Sequence, residues 1–125
     1  MPKDGREGWH GWDDYAAFYD WENARTVGRR DIAFWQRLVE DHGGPVLELG
    51  CGSGRVLVPV ARSGESVVGL DRSDNMLALA QRRVRRAKLG ACVRLVRGDI
   101  RALPFSTRHR FSLVIAPYGV LQSLL

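Results

Sequence analysis

The chain has 125 residues, 45% of them hydrophobic and 26% charged, room for one small folded domain and too apolar for a disordered segment. No apolar run approaches the roughly 18 residues of a membrane span, and the polar start from Met1 to Arg6 lacks the apolar core of a secretory signal, so a cytoplasmic protein with no membrane partner is expected. The net charge of +5 is uneven: residues 1–71 carry eight basic and twelve acidic side chains, a balance of −4, and residues 72–125 carry eleven and two, a balance of +9.

Residues 1–12 read as a loose N-terminal segment and 13–125 as one domain. An aromatic stretch opens that domain, with Trp12, Tyr15 and Tyr19 on one helical face. It predicts an amphipathic helix over the sheet, or a lid in which Tyr15 or Tyr19 walls a ligand. A second helix is expected over 29–41, with Ile32, Trp35 and Val39 on one side, stopped by Gly43-Gly44-Pro45. Residues 46–49 are a short apolar run, read as a buried parallel strand. Gly50, Gly52 and Gly54 follow on alternate positions, and Arg55 opens an apolar-periodic segment with Val56, Leu57, Val60 and Ala61. Strand, glycine loop and helix form the first half of a nucleotide-binding βαβ unit, with backbone N–H groups at the helix start favouring a negative ligand group. Pro59 predicts that this helix is kinked or short, ending at Ser63-Gly64.

Residues 66–71 are the second expected strand, ending in Asp71, which lies 21 positions after Gly50. That is near the spacing at which an acid meets a ribose, where a carboxylate accepts two hydrogen bonds from vicinal hydroxyls. Ser73 is placed to cap a helix running from Asp74 to about Leu89 and ending before Gly90. Arg82, Arg83, Arg85, Arg86 and Lys88 are read as its solvated face, opposite Leu77, Ala80, Val84 and Ala87. A nucleic-acid partner is therefore not favoured. A third strand over 92–97 runs into Asp99 and Ile100, where the acid suits an exocyclic amine and the Ile a flat base. Leu103-Pro104-Phe105 is a turn, 111–116 is a fourth strand, and Pro117-Tyr118-Gly119 breaks it before an apolar helix with Val120, Leu121, Leu124 and Leu125. Cys51 and Cys92 read as small packing residues, and neither their spacing nor the scattered His10, His42 and His109 suggests a metal site.

Taken together, Glu48-x-Gly50-x-Gly52-x-Gly54, Asp71 and Asp99 resemble the motifs of class I S-adenosylmethionine-dependent methyltransferases. The resemblance runs from about Tyr19 to Leu125 and implies an α/β fold: a Rossmann-like, doubly wound parallel sheet of about four strands with flanking helices. It implies S-adenosyl-L-methionine as cofactor, with the loop at Glu48, Gly50, Gly52 and Gly54 around its methionine portion and Asp71 on the ribose. It also implies Met76, or Leu77, flanking the adenine, Asp99 on its amine, and Ile100 beside the ring. Ala116-Pro117-Tyr118 faces the methyl group, and Tyr118 is the one candidate catalytic residue. Cys51, Arg72 and Tyr19 complete the expected cofactor-binding set. The implied reaction is methyl transfer to an acceptor, expected to be a small molecule.

The chain departs from the family pattern at Ser112 and Ser106, where acids are common. It also ends after the fourth strand, where the family's sheet continues and strand four lies inside it. A fragment is therefore expected, lacking turnover by itself, with self-association through an uncovered strand four where Val114 and Ile115 have nothing to pack on. Two other readings compete: a non-catalytic cofactor-binding module, and a nicotinamide-dependent oxidoreductase. The second calls for a small residue where Arg55 stands and has no need of Glu48 or Asp99.

Overall fold

The computed structural model describes residues 31–117. The expected loose segment at 1–12, the aromatic face at Trp12, Tyr15 and Tyr19, the catalytic candidate Tyr118 and the apolar tail therefore lie outside the described residues. Within them the chain runs α1 (Ile32–His42), β1 (Val46–Leu49), α2 (Leu57–Ala61), β2 (Val67–Asp71), α3 (Asp74–Arg86), β3 (Val93–Arg97) and β4 (Leu113–Ile115).

The four strands form one parallel sheet in the order β3-β2-β1-β4. Val46 is in register with Val67 on one side and Leu113 on the other, and Val67 with Val93. These apolar residues at strand starts share a core with Val39 of α1, Leu57, Val60 and Ala61 of α2, and Val84 of α3. The order grows outward from β1 to β3 and then returns to β1's other side with β4. Such a reversal opens a crevice beyond the carboxyl ends of the two strands that flank it. In this sheet the reversal falls between β1 and β4, where Glu48 pairs with Ile115.

Helix boundaries follow local chemistry. α1 stops at Gly43, whose φ of 69° returns its N–H to Val39 O at 2.8 Å. α2 is short, as expected. Pro59 is the third residue of the helix, within the first turn, where an N–H lacks a helical partner in any case. The helix starts two residues later than the periodicity predicts, at Leu57, and Arg55 before it pairs with Asp31. α3 also ends earlier than expected. Its stop is not Gly90 but Lys88, at φ 58°, with Lys88 N–H bonded to Arg85 O and Leu89 N–H to Val84 O, both at 3.0 Å. That double return is a Schellman closure, and the apolar Leu89 packs on the core behind it. Arg82, Arg85, Arg86 and Lys88 are exposed, the solvated face that the apolar stripe implied.

β4 is an edge among the described strands, and Val114 is 52% exposed. Ile115, expected to lack a packing partner, is instead buried in the common core. Alternation along a strand sends these two neighbours to opposite faces, and only one face is covered. Ser112 binds the turn before β1: its hydroxyl donates to Gly44 O at 2.9 Å and its N–H to Pro45 O at 2.8 Å.

Candidate functional site

The glycine loop leaves β1 and folds back over the ends of β1 and β2. Cys51 N–H donates to Leu70 O at 3.0 Å, and Gly54 N–H to Cys51 O at 3.1 Å. Asp71 then closes the loop from the next strand. Its Oδ2 accepts Gly52 N–H at 2.8 Å and its Oδ1 accepts Ser73 N–H at 2.9 Å. Ser73 caps α3 by accepting Met76 N–H at 3.2 Å, so Asp71 is not the helix cap. It is a buttress that joins the loop to the end of β2.

The glycines play distinct parts. A Cβ on Gly52 would meet nothing nearer than Met76 Sδ at 3.9 Å, and its φ is 55°. The loop is therefore open above Gly52, in a left-handed conformation that side chains resist. Gly54 is packed instead, with Ala80 of α3 3.5 Å from where its Cβ would stand. Gly69, which the motif does not mark, is the tightest: a Cβ there would lie 2.9 Å from Cys51 Sγ and 3.2 Å from Leu57 Cδ1. Cys51 is the small buried residue it was expected to be, and burial pushes its thiol well above its ordinary value.

Glu48 lies on β1, two residues before Gly50. It is 2% exposed, and its Oε1 has no hydrogen-bond partner among the described residues. Burial lifts its carboxyl from 4.5 to about 8. The Arg55 charge opposes that lift, while Asp71 and Asp31 add to it. Arg55 is already committed. Its Nη1 and Nη2 donate to the two oxygens of Asp31 at 2.8 and 2.9 Å, and Trp35 Nε1 donates to the same carboxylate at 3.2 Å. The Arg55 hydrogen bond, with its charge and the Trp35 bond behind it, holds Asp31 below the usual carboxylate range. This clamp fastens the exit of the glycine loop to the start of α1. No spacing in the sequence announces it, because 24 residues separate the pair.

The far side of the site is wetter. Asp99 accepts Arg72 Nη1 at 2.9 Å, Arg101 Nη2 at 2.7 Å and Arg101 N–H at 2.8 Å. Hydrogen bonding from Arg101, its side chain first, lowers the carboxyl to about 2. Arg97 joins from β3 by donating to Arg72 O at 3.2 Å. Glu48, Gly50, Cys51, Gly52, Gly54, Asp71 and Arg72 are therefore brought together at the ends of β1 and β2, with Asp99 and Ile100 beyond β3. Ala116 follows β4, on β1's other side. Met76 is only 2% exposed, with its Sδ 3.9 Å from where a Cβ on Gly52 would stand.

A family model described as a methyltransferase domain matches residues 46–124. Demethylmenaquinone methyltransferase of Lactobacillus johnsonii is 31% identical over 90 residues, covering 70% of this chain and 36% of that protein. Among solved structures, the CcbJ methyltransferase from Streptomyces caelestis is 32% identical with a TM-score of 0.66, covering 73% of this chain and 39% of that one. The glycopeptide N-methyltransferase MtfA in complex with S-adenosyl-L-methionine is 30% identical with a TM-score of 0.61, covering 72% and 41%. This chain thus spans well under half the length of each of these relatives. The family match extends over more than half of the chain and contains the loop, Asp71 and Asp99, so the chain belongs to the methyltransferase-domain family of class I S-adenosylmethionine-dependent enzymes.

Proposed function

We propose that this chain binds S-adenosyl-L-methionine across the ends of β1 and β2 and takes part in methyl transfer to a small-molecule acceptor. The observation that carries the reading is the pairing of an open loop with an orphaned acid. The space a Cβ would fill at Gly52 is clear, and Glu48 Oε1, on the strand that leads into the loop, is buried with no hydrogen-bond partner among the described residues. A cationic amino-acid end suits that acid, and the ribose hydroxyls suit Asp71, which stands at the end of β2 and holds the Gly52 and Ser73 N–H groups. Asp99 takes the adenine amine, Ile100 lies beside the ring and Met76 flanks it, with Arg72 and Tyr19 completing the cofactor-binding set.

When bound, S-adenosylmethionine supplies an electrophilic methyl on a sulfonium, which a nucleophile displaces in line. The chain's own contribution is to hold: Asp71 keeps the loop closed, the Asp31–Arg55 clamp keeps its exit in place, and Glu48 fixes the amino end. Positioning of this kind contributes roughly 7–11 kcal/mol to such displacements. Ala116 and Tyr118 face the acceptor side, with Tyr118 as steric wall or base. The two free thiols suit a reducing cytoplasm, and the exposed face at Val114 suits self-association through β4.

Titration calorimetry with S-adenosylmethionine, S-adenosylhomocysteine and NAD tests the reading. Binding of the first two and not the third is expected. A preference for NAD would overturn it in favour of an oxidoreductase, and cofactor binding without methyl transfer to any small acceptor would leave a binding module. Light scattering of the chain tests the self-association.

A further inference from the structure

Glu48 interrupts the apolar run Val46-Leu47-Glu48-Leu49 on the most enclosed strand of the sheet. Its neighbours in register are Gly69 and Ile115, neither of which offers a side-chain donor. The charged and titratable groups around its carboxyl come from three elements. Arg55 and Cys51 belong to the loop, Asp71 to the end of β2, and Asp31 to the start of α1. Arg55, the one cation among them within the described residues, is already bound through both terminal guanidinium nitrogens by Asp31. Asp71 already accepts two loop N–H groups. A buried carboxylate with an orphaned oxygen and acidic neighbours is costly to keep ionised, whereas a carboxylic acid is not.

We infer that Glu48 is a proton-linked ammonium site: it stands as a neutral acid in the free protein and ionises when a ligand's positive amino group reaches Oε1. This rests on the reading of the loop as a site for an amino-acid-bearing nucleoside. The balance is simple. The O–H bond of Glu48 breaks, the proton passes to solvent, and the carboxylate is left paired with the ligand's N–H₃⁺. A ligand arriving with a neutral amine takes the proton from Glu48 directly, ends as the same ion pair, and releases none. The pair needs no second cation from the protein, which accounts for Arg55 being spent on Asp31. Lifting of the carboxyl to about 8 by burial puts the event within the neutral range. Cys51 is held well above its ordinary 9 and does not titrate there, and Asp31 is held low.

The consequence is that affinity for such a ligand rises with pH by about tenfold per unit below the Glu48 midpoint. The test is calorimetric titration of S-adenosylhomocysteine between pH 6 and 7.5, repeated in buffers of different ionisation heat. Close to one proton released per ligand is expected, together with the tenfold slope. In parallel, 5′-methylthioadenosine, which shares the nucleoside and lacks the amino-acid end, should bind with no proton released. Glu48→Gln should bind S-adenosylhomocysteine with a flat pH profile and no release. Difference infrared spectra of the parent, free of any dependence on a variant's folding, should show a protonated-carboxyl band that disappears on adding S-adenosylhomocysteine. S-adenosylhomocysteine binding that is pH-independent, without proton release or loss of that band, overturns the inference while leaving the cofactor reading intact. Failure of both nucleosides to bind at any pH overturns the cofactor reading and the inference with it.

Discussion

Glu48 and Asp99 are both acids at the carboxyl ends of parallel strands, yet their surroundings drive them in opposite directions. Glu48 stands one residue before the end of β1, 2% exposed, with an orphaned oxygen and a carboxyl lifted to about 8. Asp99 lies just past β3, its side chain 26% exposed, gripped by Arg72 and Arg101 and lowered to about 2. Residue type and strand position are shared. What differs is the supply of donors and water, since a carboxylate is stabilised by hydrogen bonds to its charged form and destabilised by losing solvent. A central strand, covered on both faces, cannot supply either; an edge strand can.

The largest effect that follows is on Glu48. Its folded value of about 8 lies above the ordinary 4.5, so between those values the unfolded chain holds fewer protons than the folded one. Stability should therefore be full below about pH 4.5 and fall as pH rises toward 8, by on the order of 4 kcal/mol through this residue. Glu48→Gln should remove that part of the slope in denaturant melts run at several pH values. A parent whose melts show no such slope, or a variant that keeps it, would contradict the buried neutral acid.

Gly52→Val comes next. The added side chain enters the open space above the loop and forces a β-branched residue to φ 55°. A loss of about 3 kcal/mol in cofactor affinity is expected, against about 1–2 kcal/mol in folding stability. If the melting temperature collapses while the remaining folded protein binds S-adenosylhomocysteine normally, the glycine serves the fold alone.

Asp71→Ala should weaken cofactor binding by about 1.5–3 kcal/mol, the scale of hydrogen bonds to a charged group. Two backbone donors are orphaned at the same time, so amide exchange at Gly52 and Ser73 should accelerate. Unchanged affinity would remove the ribose assignment.

Arg55→Ala breaks a bidentate pair in which the arginine is 13% exposed, at a cost of about 1–2 kcal/mol. Because the Arg55 charge restrains the Glu48 carboxyl, the pH at which the Glu48-linked slope levels off should move upward in this variant. A midpoint that stays in place would show that the two groups are uncoupled.

The smallest effect is expected at Arg101→Ala. Arg101 and Asp99 are solvent-washed, so melts should be unchanged within error. An NMR titration should nonetheless show the Asp99 carboxyl moving back up toward its ordinary value, since Arg101 is the main cause of its lowering.

Much of the arrangement is written locally in the chain. The apolar run at 46–49, the alternating glycines, Asp71 at the next strand end and the cap at Ser73 each specify backbone geometry by short-range chemistry, and each lies where its local pattern indicates. An acid inside an otherwise apolar strand was also a readable sign of a buried carboxyl at Glu48. What only the tertiary structure decided are the partnerships of residues distant in sequence. Arg55 finds Asp31 across 24 residues, and Asp99 finds Arg72 across 27. Gly69 must lack a side chain because Cys51 and Leu57 press on it, and Ile115 is covered while Val114 is not. Propensity and periodicity act over a few residues, whereas donors, charges and contacts are assigned by packing. The sequence by itself therefore determined where the glycine loop stands, and the fold decided which of the acids around it is buried and which is held by arginines.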